Sequence, residues 1–495
     1  MANSWEPTSE DRAQVLKDQN PWHDGGVVPE AFAPPRERPL VQALSTRLLH
    51  DDPRRFHVLL GPRRVGKTTA MYQVVRTLIQ QGVGPQRILW LRMDHPFLME
   101  LPLGMLVRGA MDSWGATDED PLYVFLDEVV YAADWDRWLK TFYDERWPIR
   151  LVASSSATAA MRKSRPESGV GRWEEHHLTP YLLADYVALR GQPASLLRSE
   201  SLWQGLSDVA VGGTYYEGLA ARSHELMLIG GFPELLTGKP FEEDPESAVL
   251  ISQRTLRSDA IERAIYKDIP QSFEIGSPLQ LERLLYVLAG QTSQLVSPSN
   301  IAGQLGSTQP TLDKYLSYLE QTFLIFTLPN YSGSEAARQR RGRKVYFVDV
   351  AVRNAALQRG LALLAPGAEI GTLRENMVAA HLHALAMQVD VRLYHWRDGT
   401  KREVDLVYDD HAHPLAFEIA SSANHSRAGL IAFRDAHPRF ADGCFLVAPD
   451  APVMLPSAGT NGIGSFPLDM LMLVASHVAG IAHTRRILPA GPESR

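Results

Sequence analysis

Cysteine is almost missing from this 495-residue chain. The single thiol, Cys444, excludes an intramolecular disulfide and any zinc site built from several thiolates. A long apolar run is lacking too. The best candidate near the C-terminus, residues 471–482, contains Ser476 and His477 and falls short of the roughly 20 residues a spanning helix needs. Met1-Ala2-Asn3-Ser4-Trp5-Glu6-Pro7 has neither the basic nor the apolar region of a secretory signal. Repeats and low-complexity tracts are not evident. These absences set the expectation of a soluble, cytoplasmic protein with no membrane contact. A surplus of positive charge is also missing. The net charge of −7 leaves any nucleic-acid contact to local basic patches. The remaining composition, 45% hydrophobic and 22% charged, is ordinary for a globular chain, and the length suits roughly two to four domains.

Gly61-Pro62-Arg63-Arg64-Val65-Gly66-Lys67-Thr68 fits the P-loop pattern G-x-x-x-x-G-K-[ST] in full, with Thr69 following. An apolar run, residues 56–60, precedes it and a helix-compatible stretch, residues 69–79, follows. Strand, glycine loop and helix N-terminus together aim backbone N–H groups at an anion. Lys67 is placed to reach the β- and γ-phosphates, and Thr68 to hold Mg²⁺ through its hydroxyl. A second element is the apolar run Leu122-Tyr123-Val124-Phe125-Leu126, which ends in Asp127-Glu128. Such a run suits a parallel strand buried on both faces. At its carboxyl end Asp127 can coordinate Mg²⁺ and Glu128 can polarise the attacking water. ATP and Mg²⁺ are therefore the expected ligands.

A third buried strand is expected at residues 149–153, ending in Ser154-Ser155-Ser156, which either sense the γ-phosphate or form a serine-rich turn. Gly171-Arg172 presents an arginine that is either a finger for a neighbouring subunit's nucleotide or an ordinary surface cation. Residues 280–348 read as a winged helix-turn-helix: a helix over 281–289, a second opened by Ser297-Pro298, and a third with Leu312, Tyr315, Leu316 and Leu319 on one face. Its hairpin tip carries Arg338, Arg340, Arg341 and Arg343. These either contact DNA phosphates or form a solvated basic loop or a protein-docking surface. Further on, Asp410-His411-Ala412-His413 reads as a hairpin loop between residues 403–409 and 414–420. That loop puts Asp405 opposite Glu418. Two opposed carboxylates repel unless a cation lies between them; otherwise they are acids on a solvated face. Glu375, on the helix-like stretch 371–388, can add a third oxygen ligand for a second metal ion.

With these residues in view, the chain resembles the prokaryotic AAA-type ATPase family that joins an ATPase core to a C-terminal domain of unknown function. That domain resembles the PD-(D/E)XK restriction-endonuclease fold. The likeness is carried by residues 61–69, Phe125-Leu126-Asp127-Glu128 with Asp134-Trp135, and Gly171-Arg172. Further matches are Gly230-Gly231-Phe232-Pro233-Glu234, Tyr266-Lys267-Asp268, residues 344–349, and Trp396-Arg397 with Glu403-Val404-Asp405. The resemblance implies an α/β chain: an AAA-like parallel sheet, a helical lid, a winged helix and a nuclease-like α/β domain. It also implies Arg172 as an arginine finger and Ser155 as a sensor. The expected boundaries are an arm over 1–40, the ATPase core over 41–177, the lid over 178–270, the winged helix over 271–348, the nuclease-like domain over 349–460 and a tail over 461–495. One departure stands out. The nuclease pattern calls for lysine where this chain has Ala420, with Lys401 the nearest substitute on the same strand parity.

The expected function is a Mg²⁺-dependent ATPase acting on DNA through a degenerate nuclease-like module, possible as a homo-oligomer. An ATP-driven metal-dependent nuclease and a nucleotide-gated switch for a protein partner are the alternatives.

Overall fold

The computed structural model describes residues 8–50, 54–156, 171–191, 199–212, 218–237, 241–273, 275–332, 342–365 and 369–488. The chain divides into two units: Met1–Gly61, Gly66–Leu178 and Thr484–Arg495 in the first, Pro62–Val65 and Thr179–His483 in the second.

In the first unit the apolar runs become parallel strands. They are β1 (Phe56–Leu60), β2 (Ile88–Arg92), β3 (Leu122–Asp127), β4 (Ile149–Ser155) and β5 (Trp173–His177), in the order β2-β3-β4-β1-β5. Every residue of β1 and β3 is buried, which is why these strands read as unbroken apolar runs. Helices Lys67–Gln80, Leu103–Trp114 and Trp135–Asp144 supply the crossovers that parallel pairing requires. Since β1 pairs with β4 and not with β2, the strand order changes direction at the strand that leads into the P-loop. A crevice at the carboxyl ends is expected at such a point.

The expected N-terminal arm is instead part of this unit. Helix Ser9–Gln19 is closed by a capping box between Thr8 and Asp11. Asn20 then pairs with the edge strand β2 through its side chain, donating to Trp90 O at 3.0 Å and accepting from Trp90 N at 2.6 Å. Trp22 is fully buried, and its indole donates to Ile88 O. The polar, proline-bearing sequence conceals these anchors because two residues carry them without any periodicity.

The second unit opens with helices from Leu183–Leu189 to Pro245–Thr255, followed by wider π-helical turns at Leu256–Glu262 and Ala264–Asp268. Helices Pro278–Gly290, Pro298–Gln304 and Gln309–Gln321 come next. Leu312, Tyr315, Leu316 and Leu319 are buried together, as the spacing predicts. Strands β6 (Leu295–Val296), β7 (Ile325–Leu328) and β8 (Arg343–Phe347) form an antiparallel sheet in the order β6-β8-β7. Arg343 opens β8, whereas Arg338, Arg340 and Arg341 lie outside the described residues.

Helix Ile370–Val389 precedes a second sheet of β9 (Leu393–Arg397), β10 (Glu403–Tyr408), β11 (Leu415–Ile419), β12 (Cys444–Ala448) and β13 (Ile463–Pro467). Its order is β13-β12-β11-β10-β9, with β9, β10 and β11 antiparallel and β11, β12 and β13 parallel. Leu406, Phe417, Phe445 and Phe466 share one core with Met377, Leu471 and Val474, while Val404, Val407 and Leu446 share another with Leu430 and Phe433 of helix Ala428–Ala436. The β10–β11 register, Leu406 with Phe417 and Tyr408 with Leu415, is the one the four-residue loop predicts. The stretch expected as a tail, 461–495, contains β13 and helix Leu468–Ile487, and the second unit runs to His483.

Candidate nucleotide site and carboxylate cluster

Gly66, at φ 93°, turns the chain into helix Lys67–Gln80, a left-handed position that glycine takes without strain. Lys67 is buried, and its Nζ donates to Gly61 O at 2.8 Å. The Thr68 hydroxyl lies 3.1 and 3.0 Å from the two carboxylate oxygens of Asp127. Asp127 is buried at the end of β3. Burial pushes its carboxyl above the ordinary value, against hydrogen bonds from Ser154 and Thr68 and the charge of Lys67. Glu128 has a left-handed backbone, φ 52°. Its N–H donates to Ser154 Oγ at 3.0 Å, and its Oε2 accepts from Ser156 at 3.3 Å.

Ser154 is the serine that orders both acids, since its hydroxyl also donates to Asp127 Oδ1 at 2.6 Å. The expected sensor, Ser155, is buried beside Leu60 in the register of β1 with β4. Strand pairing was the missing signal: Leu126 faces Ala153, so the next residues, Asp127 and Ser154, come side by side.

Thr69 is half-buried in the first helical turn, and Pro62 and Val65 are buried. Arg63 and Arg64 belong to the segment grouped with the second unit. Arg63 holds Asp268 through two hydrogen bonds. Arg64 pairs with Glu234 at 2.9 Å and Asp259 at 2.6 Å. Arg172 stands elsewhere. Its guanidinium pairs with Asp144 at 2.8 and 3.1 Å, and its carbonyl accepts from the N–H of Phe56, the first residue of β1. It therefore lies at the amino end of the strand whose carboxyl end carries the P-loop.

The second cluster has a cation that the sequence did not reveal. Asp405, next to the β10–β11 pairing, accepts from Ile419 N at 2.9 Å through one oxygen. Its other oxygen is 2.8 Å from the Nζ of Lys344, a buried lysine on β8. The same ammonium lies 3.2 Å from Glu375 and 2.5 Å from Glu403. Tyr346, two residues along β8, donates to Glu375 at 2.8 Å. Burial opposes the charge on Lys344, but the surrounding oxygens of Tyr346, Asp405, Glu375 and Glu403 raise it well above its ordinary value. Burial, with the charge of Asp405, pushes Glu375 up to about 7 and Glu418 up to about 9. Glu418 lies 3.6 Å from His425. Ala420 packs into the core, and Lys401 is exposed in a turn with φ 69°, so it does not reach inward as its strand parity suggested.

Residues 53–187 match the family model described as an AAA domain. An AAA-type P-loop domain occupies this part of the chain. Residues 221–362 and 370–458 match two models described as domains of unknown function, DUF8612 and DUF4143. An uncharacterized protein of Methanocaldococcus jannaschii is 26% identical over 68% of this chain and 69% of its own length. An uncharacterized protein of Haemophilus influenzae is 21% identical over 68% and 76%. Among solved structures, the Aeropyrum pernix ORC1 protein in complex with DNA is 14% identical, with a TM-score of 0.31 over 70% of this chain and 98% of that one. The Thermotoga maritima RuvB Holliday junction branch migration motor is 14% identical, with a TM-score of 0.28 over 62% and 89%. The AAA domain thus contains Lys67, Thr68, Asp127 and Glu128, while the Lys344 cluster draws on residues from two of the three matched regions. No helix among the described residues is long and apolar enough to cross a membrane.

Proposed function

We propose that this chain is a Mg²⁺-dependent ATPase whose AAA domain drives a winged-helix and degenerate nuclease-like module on DNA. The observation that carries the reading is the hydrogen bond from Thr68 to Asp127 beside the helix N-terminus that begins at Lys67. A hydroxyl and a carboxylate already in contact fit a shared magnesium ion, with Lys67 and the loop amides facing the phosphates of ATP. Bound magnesium neutralises phosphate charge. Glu128, anchored by Ser154 and Ser156, orients and deprotonates the attacking water. Arg172, remote from its own P-loop, serves the nucleotide of a second copy, which requires a homo-oligomer.

The three helices and the β7–β8 hairpin support the winged-helix reading. Arg338, Arg340, Arg341 and Arg343 are its phosphate contacts. In the nuclease-like module Glu375, Asp405 and Glu418 bind a divalent ion weakly, because Lys344 already neutralises Asp405 and Glu375. A buried ammonium held by three carboxylates is not poised over a scissile phosphate, so efficient cleavage is not expected. The testing experiment measures ATP turnover with and without duplex DNA and follows the DNA for Mg²⁺- or Mn²⁺-dependent cleavage. DNA-stimulated turnover without cleavage supports the reading. Robust cleavage lost in Asp405→Ala supports an ATP-driven nuclease, and turnover indifferent to DNA supports a protein-directed switch.

A further inference from the structure

Strands β1 and β5 carry a cluster that the nucleotide site does not use. Their register aligns His57 with Glu174. The two-residue period of a strand then puts Glu174 and His176 on one face, beside His57. His57 Nδ1 is 3.0 Å from His176 Nε2 and 3.9 Å from Glu174 Oε2. One ligand atom from each of the three residues lies within 4.8 Å of the others. Both imidazoles are buried, at 0% and 1% exposure, while the Glu174 side chain is 34% exposed on the edge strand β5. The group is therefore closed toward the core and open toward solvent.

We infer that His57, His176 and Glu174 bind one divalent transition-metal ion of the zinc class. Two imidazole nitrogens and one carboxylate oxygen form a donor set suited to zinc, cobalt or nickel. Magnesium and calcium favour oxygen alone. Ligands about 2.0–2.1 Å from a tetrahedral zinc ion stand about 3.3 Å from one another. The 3.0 and 3.9 Å separations from His57 bracket that value, and all three ligand atoms lie within 4.8 Å of one another, so side-chain adjustment alone closes the site. Three protein ligands leave a fourth position, on the exposed side of Glu174, for water or an incoming group.

Protonation states favour coordination as well. Burial, assisted by the nearby Arg47 charge, pushes His57 down to about 3, so its ring is neutral at physiological pH. In the metal-free contact one of the two facing nitrogens carries the hydrogen. Coordination requires that ring to adopt its other tautomer, with the proton moving to the far nitrogen of the same imidazole and no net change in ring charge. Arg47 opposes the added positive charge, and the Glu174 carboxylate offsets it.

This metal is distinct from the magnesium of the nucleotide. His57 is the second residue of β1, and the P-loop begins after Leu60 at the other end of that strand. A metal here staples the edge strand β5 to its neighbour β1. It also fixes the chain that leaves Arg172, two residues before Glu174.

The test uses the full-length protein stripped of metal and kept free of nucleotide, titrated with Co²⁺ and read by visible absorption and elemental analysis. One tetrahedrally coordinated cobalt per chain is expected, displaced stoichiometrically by Zn²⁺ and retained in excess Mg²⁺. His176→Gln should abolish the tetrahedral signal. Glu174→Gln, a change at a partly exposed position that leaves the core intact, should weaken it while metal-free thermal stability stays at the wild-type value. Absence of stoichiometric uptake by the wild type, or an unchanged signal in the Glu174→Gln protein, overturns the assignment.

Discussion

Lys344 Nζ lies 2.8 Å from Asp405 Oδ1, joining the central strand of the β6-β8-β7 sheet to the second carboxylate of β10. Lys344 is thus the cation that Glu375, Glu403 and Asp405 share. Removing it leaves Glu375, Glu403 and Asp405 without their shared counter-charge. Breaking a buried ion network by deleting one partner costs about 3–5 kcal/mol. Lys344→Met should lower the unfolding free energy by this order in a denaturant titration. It should also strengthen Mn²⁺ binding at Asp405 and Glu418, read by calorimetry. A variant as stable as wild type would remove Lys344 from this role.

The two displaced carboxyls give the second unit a pH signature. Glu375 and Glu418 have folded values of about 7 and about 9, both above the ordinary 4.5. The folded state therefore holds protons that the unfolded state releases. Their contribution to stability is complete below about 4.5 and is lost as pH rises through about 7 and then about 9. Glu418→Gln should flatten the upper part of that decline in thermal melts taken across the range. An identical slope in the variant would contradict the assignment.

Arg172 gives a prediction about assembly. Arg172→Ala should cut ATP turnover and leave nucleotide affinity nearly unchanged. Mixing it with Glu128→Gln subunits should restore part of the rate, because a mixed interface can unite one intact finger with one intact base. Full turnover by a monomeric protein would rule out a finger in trans.

Neutralising Arg338, Arg340, Arg341 and Arg343 together should weaken DNA binding and reduce the salt slope by about 0.9 per lost phosphate contact. Fluorescence anisotropy at several salt concentrations measures this. An unchanged slope would make the basic segment a protein-docking surface.

Much of this architecture was legible because local pattern and local structure agree. The runs before Gly61 and Asp127 are buried strands, and the loop between Asp409 and Pro414 fixes the hairpin register that brings Asp405 to Glu418. Pairings between distant segments were less accessible. Lys344 and Asp405 are sixty-one positions apart in sequence, and only the packing of β8 against the second sheet brings them together. A lysine inside an apolar strand was the available signal. Ser154 was hidden for a similar reason, since its role depends on the register of β3 with β4. Asn20 and Trp22 anchor their segment by single side chains, which leave no periodic trace.

The most direct measurement is ATP binding and turnover in Lys67→Ala and Glu128→Gln beside the wild type. The account predicts that Lys67→Ala abolishes ATP binding. Glu128→Gln should bind ATP with wild-type affinity and turn it over about 10²–10⁴ times more slowly, the usual contribution of a general base. Wild-type turnover in Glu128→Gln, or undiminished ATP binding in Lys67→Ala, would contradict it.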